Sequence, residues 1–265
     1  RLALLAPPEA LNMTLTVYGV PLSQPARAVL WALVWKGAPF TLVPVSPGSR
    51  KKGGTRHPDY LRQINAAGTM PAINDDGFVV AESHAILQYL CETRGWDDLY
   101  PSGEAFAFKR AKIQEYLHFH HGNTRQGSTL FAAKVRSDLR VSAGAVRGAK
   151  RATANTVDIL EEHWLRDGRR FLVGDTPTIA DLSAYTELCQ HGAGFSNTGA
   201  DLFEGKPRVV AWMARCSQLP GHDTVHLALR KLGDLSKGPP EMKTVVGANK
   251  AGLKAIMTAA ARAKL

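Results

Sequence analysis

The sequence predicts a small α/β domain joined to an all-helical one, and three observations carry that expectation. Strand and helix patterns alternate from Thr14 to Arg94, in the order βαβ and then ββα. A turn-rich stretch, GWDDLYPSG at residues 95–103, then breaks the alternation. Beyond it, apolar residues recur at helical spacing and the strand signal almost disappears.

Each element follows from its residues. Leu15-Thr16-Val17-Tyr18 alternates as a strand does. Residues 24–36 form a helix with Ala28, Leu30, Trp31 and Val34 apolar, and residues 40–45 return as a parallel strand, closing a βαβ unit. Residues 48–55 make a basic, glycine-containing loop, and residues 59–64 a short helical turn. Ala72-Ile73 and Phe78-Val79-Val80 pair as a hairpin around Asp75-Asp76-Gly77, and residues 82–94 form a further helix. This is the order of a thioredoxin-like unit. Helical spacing recurs over residues 105–124, 145–165, 179–189 and 207–219. Five segments result: a disordered or upstream stretch at 1–12, the α/β domain at 13–95, a linker at 96–104, the helical domain at 105–232, and a basic extension at 233–265. Met13 is read as a true start, since strand alternation begins directly after it.

Composition narrows the function. The chain has 265 residues, 45% hydrophobic and 21% charged, which excludes wholesale disorder. No stretch approaches the ~18 apolar residues of a membrane-spanning helix. Cys91, Cys189 and Cys216 are too scattered for a disulfide framework or a zinc cluster, so a reducing compartment is the default. Lysine plus arginine outnumber aspartate plus glutamate by 33 to 23, a net charge of +10 that suits anionic ligands of many sizes.

Three local signals could carry chemistry. Ser23, in Ser23-Gln24-Pro25, stands where a helix begins, beside unpaired N–H groups and the positive end of its dipole. Taken alone it reads first as a plain N-cap, with a group that stabilises a thiolate as the alternative. Met70-Pro71 precedes a strand, where a cis proline leaves the neighbouring backbone open to an extended peptide. A trans proline starting an edge strand is the alternative. Glu82 and Ser83 begin another helix and offer a carboxylate, a hydroxyl and free N–H groups to an amino-acid zwitterion; a capped helix fits nearly as well.

Ser23-Gln24-Pro25, Met70-Pro71 and Glu82-Ser83-His84-Ala85-Ile86-Leu87 together resemble the glutathione transferases, specifically the serine-type theta class. Lys109-Arg110-Ala111-Lys112, Glu115-Tyr116-Leu117, His120-His121, Asn123 and Arg125 resemble the fourth helix of that class. Thr178-Ile179-Ala180-Asp181 resembles its buried capping box, and Leu202-Phe203-Glu204-Gly205-Lys206-Pro207-Arg208 with Trp212 extends the likeness. It runs from about Met13 to Leu232.

The resemblance implies the glutathione transferase fold and an enzyme that joins glutathione to small electrophiles or reduces organic hydroperoxides. Ser23 would donate to the cysteine sulfur and Met70, with Pro71, would pair with the cysteinyl backbone. Glu82 and Ser83 would hold the γ-glutamyl end. The glycine carboxylate would meet the loop at Thr55, Arg56 and His57, where many theta members carry a His-Lys pair. Arg125 would add positive potential near the sulfur or γ-glutamyl group, or pair with Glu82. The segment around 226–232 would cap an apolar acceptor cleft. Glutathione is co-substrate, with no further cofactor and no metal; His118, His120 and His121 read as a helix face. A homodimer is implied, with no nucleic acid and no membrane span. The alternative is a non-catalytic scaffold of the same fold in a protein or nucleic-acid assembly. Ala263-Lys264-Leu265 resembles a peroxisomal address, so both cytoplasm and peroxisome stay open.

Overall fold

The computed structural model describes residues 15–263. The reading of residues 1–12, the start at Met13 and the last two residues of the Ala-Lys-Leu address lie outside the described residues.

The N-terminal domain is built on a four-stranded sheet. β1 (Leu15–Tyr18) buries Leu15 and Val17 and leaves Thr16 and Tyr18 half-buried, the period of two expected of a strand. α1 (Gln24–Trp35) connects it to a parallel β2 (Thr41–Val43), shorter than the predicted 40–45. α2 (Pro58–Gln63), β3 (Ala72–Asp75), β4 (Phe78–Ala81) and α3 (Ser83–Arg94) follow. The strand order is β2-β1-β3-β4, with β3 antiparallel to both neighbours.

The helical domain comprises α4 (Ala107–Gly122), a 3-10 turn at Thr124–Gly127, α5 (Ser128–Val135) and α6 (Ala143–Ile159), which runs into a π-helical turn at Leu160–Trp164. α7 (Ile179–Leu188), α8 (Pro207–Cys216), α9 (His222–Leu232) and α10 (Met242–Arg262) complete it. α1 is buried almost all round because it packs on α3 within its own domain and on α7 and α9 of the other. The two domains therefore share one core.

All ten residues of α7 are buried, so its polar side chains must find partners inside the protein. The predicted capping box is present. The Asp181 carboxylate accepts from the Thr178 N–H at 2.8 Å, the Leu172 N–H at 2.9 Å and the Trp212 indole N–H at 2.9 Å. It thereby ties the start of α7 to α8 and to the preceding loop. Asp181→Asn swaps one acceptor oxygen for an amide that faces donors. It is expected to cost about 2 kcal/mol, read as a lower Cm in chemical denaturation.

Two helices depart from expectation. α5 is only two turns long and was not predicted. α9 buries His222, Val225, His226 and Leu229, helical spacing disguised by two histidines that serve as core residues. Their rings stack on each other and pack edge-on against Trp31 and Tyr185. Within the basic extension, α10 packs along α9 and touches α1 and β2. Gly252 makes that approach possible. A Cβ there would stand 2.8 Å from the Ala228 Cβ and 2.9 Å from the Pro21 Cβ.

Candidate active site

The loop after β1 delivers Ser23 to the start of α1. Ser23 has extended backbone angles, and its carbonyl accepts the first helical bond from the Arg27 N–H at 2.9 Å. Its side chain makes no capping hydrogen bond. A serine used only as an N-cap would spend its hydroxyl on the helix. Here the hydroxyl makes no hydrogen bond among the described residues, and Ser23 lines a cavity of about 550 Å³. Arg27, wholly buried, donates to the Pro21 carbonyl at 3.0 Å and the Thr186 carbonyl at 2.8 Å, pinning the Ser23 loop to α7.

The Met70–Pro71 bond is cis, one of the two isomers the sequence left open. The Tyr60 hydroxyl donates to the Thr69 carbonyl at 2.7 Å, and Met70 borders the same cavity as Ser23. Ser83 opens α3 and is buried. Glu82 before it holds φ at +69°, a region that costs a non-glycine residue about 1–3 kcal/mol and persists where its surroundings over-determine it.

Met70, Pro71, Glu82, Ser83 and Arg125 converge on a second, smaller cavity of about 140 Å³, adjoining the first. Sequence reasoning missed several of its walls: Gln24, His84, His120, Ser183 and Glu187. Arg125 does not pair with Glu82. It donates to the buried Glu187 at 2.9 Å, because Glu187 on α7 is the carboxylate that would otherwise stand uncompensated in the core. Gln190 donates to Glu187 at 3.0 Å and in turn accepts from Gln24 at 2.8 Å, which carries the network back to the residue after Ser23. Burial raises the Glu187 pKa, and Arg125 pulls it back.

His84 is pushed down to about 3 by burial and then by neighbouring His121 and Arg125, so its ring is neutral. His120 lies well below its ordinary value, again chiefly through burial. Nδ1 of both rings and the Ser183 hydroxyl are buried without a partner among the described residues. A chamber bounded by unspent polar atoms, a carboxylate on each side and a guanidinium suits a small zwitterion. Its volume accepts an amino-acid head group or a few waters.

The remaining predicted residues spread out. Thr55 is buried and borders the larger cavity, where its hydroxyl accepts from the Gly48 N–H at 2.9 Å. Arg56 is exposed, but its side chain lies against Gly68, which borders the cavity. His57 is the N-cap of α2, its Nδ1 accepting from the Asp59 N–H at 3.3 Å; neither cavity includes it.

The larger cavity is mainly apolar, with Val20, Leu22, Phe131, Val135 and Val141 on its walls. The expected cap at 226–232 is overturned, because His226 is drawn into the core. Val245 and Asn249 of α10 close the cavity instead, and Asn249 accepts from the Leu22 N–H at 3.3 Å. The cysteines stand apart: all three are free and buried, and burial pushes the Cys91 and Cys189 thiols up to about 12.

Comparison with known proteins gives the family. The family model described as glutathione S-transferase, N-terminal domain, matches residues 17–97, and that for the C-terminal domain of the same family matches residues 129–220. The chain belongs to the glutathione S-transferase family. Within it, the chain is similar to theta-class members. Glutathione S-transferase theta-2 of Homo sapiens is 35% identical over 204 residues, 75% of this chain and 79% of that protein. Glutathione S-transferase T1 of Arabidopsis thaliana is 31% identical over 242 residues, covering 88% and 96%. Glutathione S-transferase T2 of Arabidopsis thaliana is 33% identical over 88% of this chain, which spans only 40% of that relative's length. A crystal structure of human glutathione transferase theta-2 in complex with glutathione superimposes with a TM-score of 0.71 at 28% identity, covering 94% of this chain and 99% of that one. A human theta-class glutathione transferase in complex with the glutathione conjugate of 1-menaphthyl sulfate gives 0.68 at 29% identity, covering 92% and 99%.

Proposed function

We propose that this transferase binds glutathione across the two cavities and uses Ser23 to hold its sulfur as a thiolate for attack on an apolar electrophile. One observation carries the reading. The Ser23 hydroxyl, at the positive end of α1, is withheld from helix capping and faces the cavity that Met70 borders. The γ-glutamyl head would occupy the small chamber, its ammonium toward Glu82 and its carboxylate toward Ser83 and Arg125. The cysteinyl backbone would pair with Met70, whose N–H and C=O have no partner among the described residues. The glycine carboxylate would lie toward Thr69 and Thr55, with Arg56 the cation packed beside Gly68.

Ser83→Ala removes a donor to a charged group, worth about 1.5–3 kcal/mol. It is expected to raise the KM for glutathione about tenfold or more while leaving kcat little changed, and Glu82→Ala should act in the same direction. Steady-state kinetics with varied glutathione check both; an unmoved KM in both variants contradicts the γ-glutamyl placement.

The apolar walls favour acceptors without charge at the reacting end. Reduction of organic hydroperoxides would draw on the same thiolate, and a panel of cumene hydroperoxide, an alkyl halide and an arylmethyl sulfate ranks the two activities. A homodimer is supported by the outer edge of β4, unpaired among the described residues, and by Phe78 and Phe108, 57% and 88% exposed; light scattering checks it. The Ala263-Lys264-Leu265 address remains a proposal, checked by whether a fluorescent fusion ending in it reaches peroxisomes and one lacking it stays cytoplasmic.

A further inference from the structure

The outer face of α10 has no part in the site described above. Its inner face buries Ala248, Gly252, Ile256 and Ala260 against the rest of the protein. Flanking that face, Met242, Val246 and Met257 are 57%, 45% and 49% exposed, and Leu253 between them is half-buried. At 100° per residue these four fall within one narrow stripe. Lys250 and Lys254 run directly alongside it, exposed and without an ion pair among the described residues. Lys243 continues their line but is paired with Glu241 at 2.8 Å. No aspartate or glutamate occurs anywhere in Met242–Arg262. From Met242 to Met257 the stripe is about 22 Å long.

We propose that this face docks on an anionic lipid bilayer, with α10 lying along the headgroup plane. An apolar stripe bordered by lysines is the pattern of an interfacial helix, whose hydrophobic side chains enter the acyl boundary while the cations stay at the headgroups. A nucleic-acid surface would use the lysines and gain nothing from the exposed methionines and valine. The arrangement is peripheral: among the described residues no helix is long and apolar enough to cross a membrane.

The neighbourhood of the stripe fits the same surface. Val245 and Asn249, one face around the helix, close the larger cavity, and Leu139, 44% exposed, borders that cavity too. The loop that supplies Pro47 and Gly48 to the cavity wall continues into exposed Lys51 and Lys52. Exposed lysines thus follow the cavity-wall residues on two elements. Docking there sets the acceptor cavity beside a lipid phase in which apolar electrophiles concentrate.

The test is co-sedimentation of the intact protein with vesicles of phosphatidylcholine alone and of phosphatidylcholine mixed with phosphatidylserine, without glutathione. The readout is independent of turnover, so its failure leaves the thiolate reading standing. Binding is expected only to the mixed vesicles and to weaken with salt. Each lysine near such a surface contributes about fivefold, so Lys250→Glu with Lys254→Glu should weaken retention by at least about 25-fold. Met257→Asp should weaken it independently. Conjugation of a water-soluble electrophile by these variants stays unchanged, which reports that they fold. No retention of the native protein, equal retention on both vesicle types, or retention indifferent to all three substitutions overturns the proposal. So does a change of oligomeric state in Met257→Asp by light scattering, which would assign the face to a second copy of the chain.

Discussion

Ser23→Ala is expected to lower kcat about a hundredfold while moving the KM for glutathione much less. The hydroxyl donates to a group that is neutral as a thiol and anionic as a thiolate, so its contribution grows as the sulfur ionises. A hydrogen bond to a charged group is worth about 1.5–3 kcal/mol, or about one to two pKa units on the sulfur. Without it the thiol ionises closer to the free value of about 8.5, and at neutral pH only a few per cent is reactive. The sign of the pH dependence follows. Losing the donor raises the sulfur's pKa, so the rate profile of the variant shifts to higher pH and the deficit narrows as the medium becomes alkaline. The dipole of α1 remains in the variant, which is why some activation persists. Steady-state kinetics across pH check the size and the shift together.

Arg125→Met should produce the largest loss of stability. Glu187 has no exposed side-chain surface, and Arg125 is its one cationic partner within salt-bridge distance among the described residues. Removing one partner of such a pair strands the other charge, at a cost of about 3–5 kcal/mol. The native pair itself need not be strongly stabilising, since desolvation offsets most of its attraction. Burial already raises the Glu187 carboxyl above its ordinary 4.5, and Arg125 works against that. In the variant the folded-state pKa therefore rises further. A group whose folded pKa exceeds its unfolded value contributes most at low pH and loses that contribution as pH rises through the folded pKa. The deficit of Arg125→Met should thus be full at neutral pH and fade on acidification. Urea denaturation of both proteins at several pH values checks this, and a deficit constant with pH contradicts the role given to Glu187. Because Arg125 also faces the small chamber, the variant's KM for glutathione should rise as well.

Local chemistry made most of the N-terminal domain legible in the sequence. The alternation of Leu15 to Tyr18, the turn at Asp75-Asp76-Gly77 and the helix starts at Ser23 and Ser83 each obey short-range rules that a single chain displays. The same is true of Thr178 and Asp181, whose capping box is visible at a spacing of three residues. What stayed hidden depends on contacts distant in sequence. Nothing near Arg125 announces that its partner is Glu187, 62 residues away on a helix buried on every side. His120 and Ser183 likewise become chamber walls only when α4 and α7 meet. The strained backbone of Glu82 has no signature in its residue type. The cap of the acceptor cavity was misplaced for a related reason. Two histidines in α9 read as polar, yet aromatic packing on Trp31 and Tyr185 takes them inside, and α10 reaches the cavity over Gly252.

Ultraviolet titration of bound glutathione, followed through the absorbance of its thiolate, addresses the central claim most directly. With the native protein the sulfur should ionise at least one pKa unit below free glutathione, and with Ser23→Ala the midpoint should move most of the way back. Identical midpoints for the bound and free tripeptide, or for the native protein and the variant, would contradict the account.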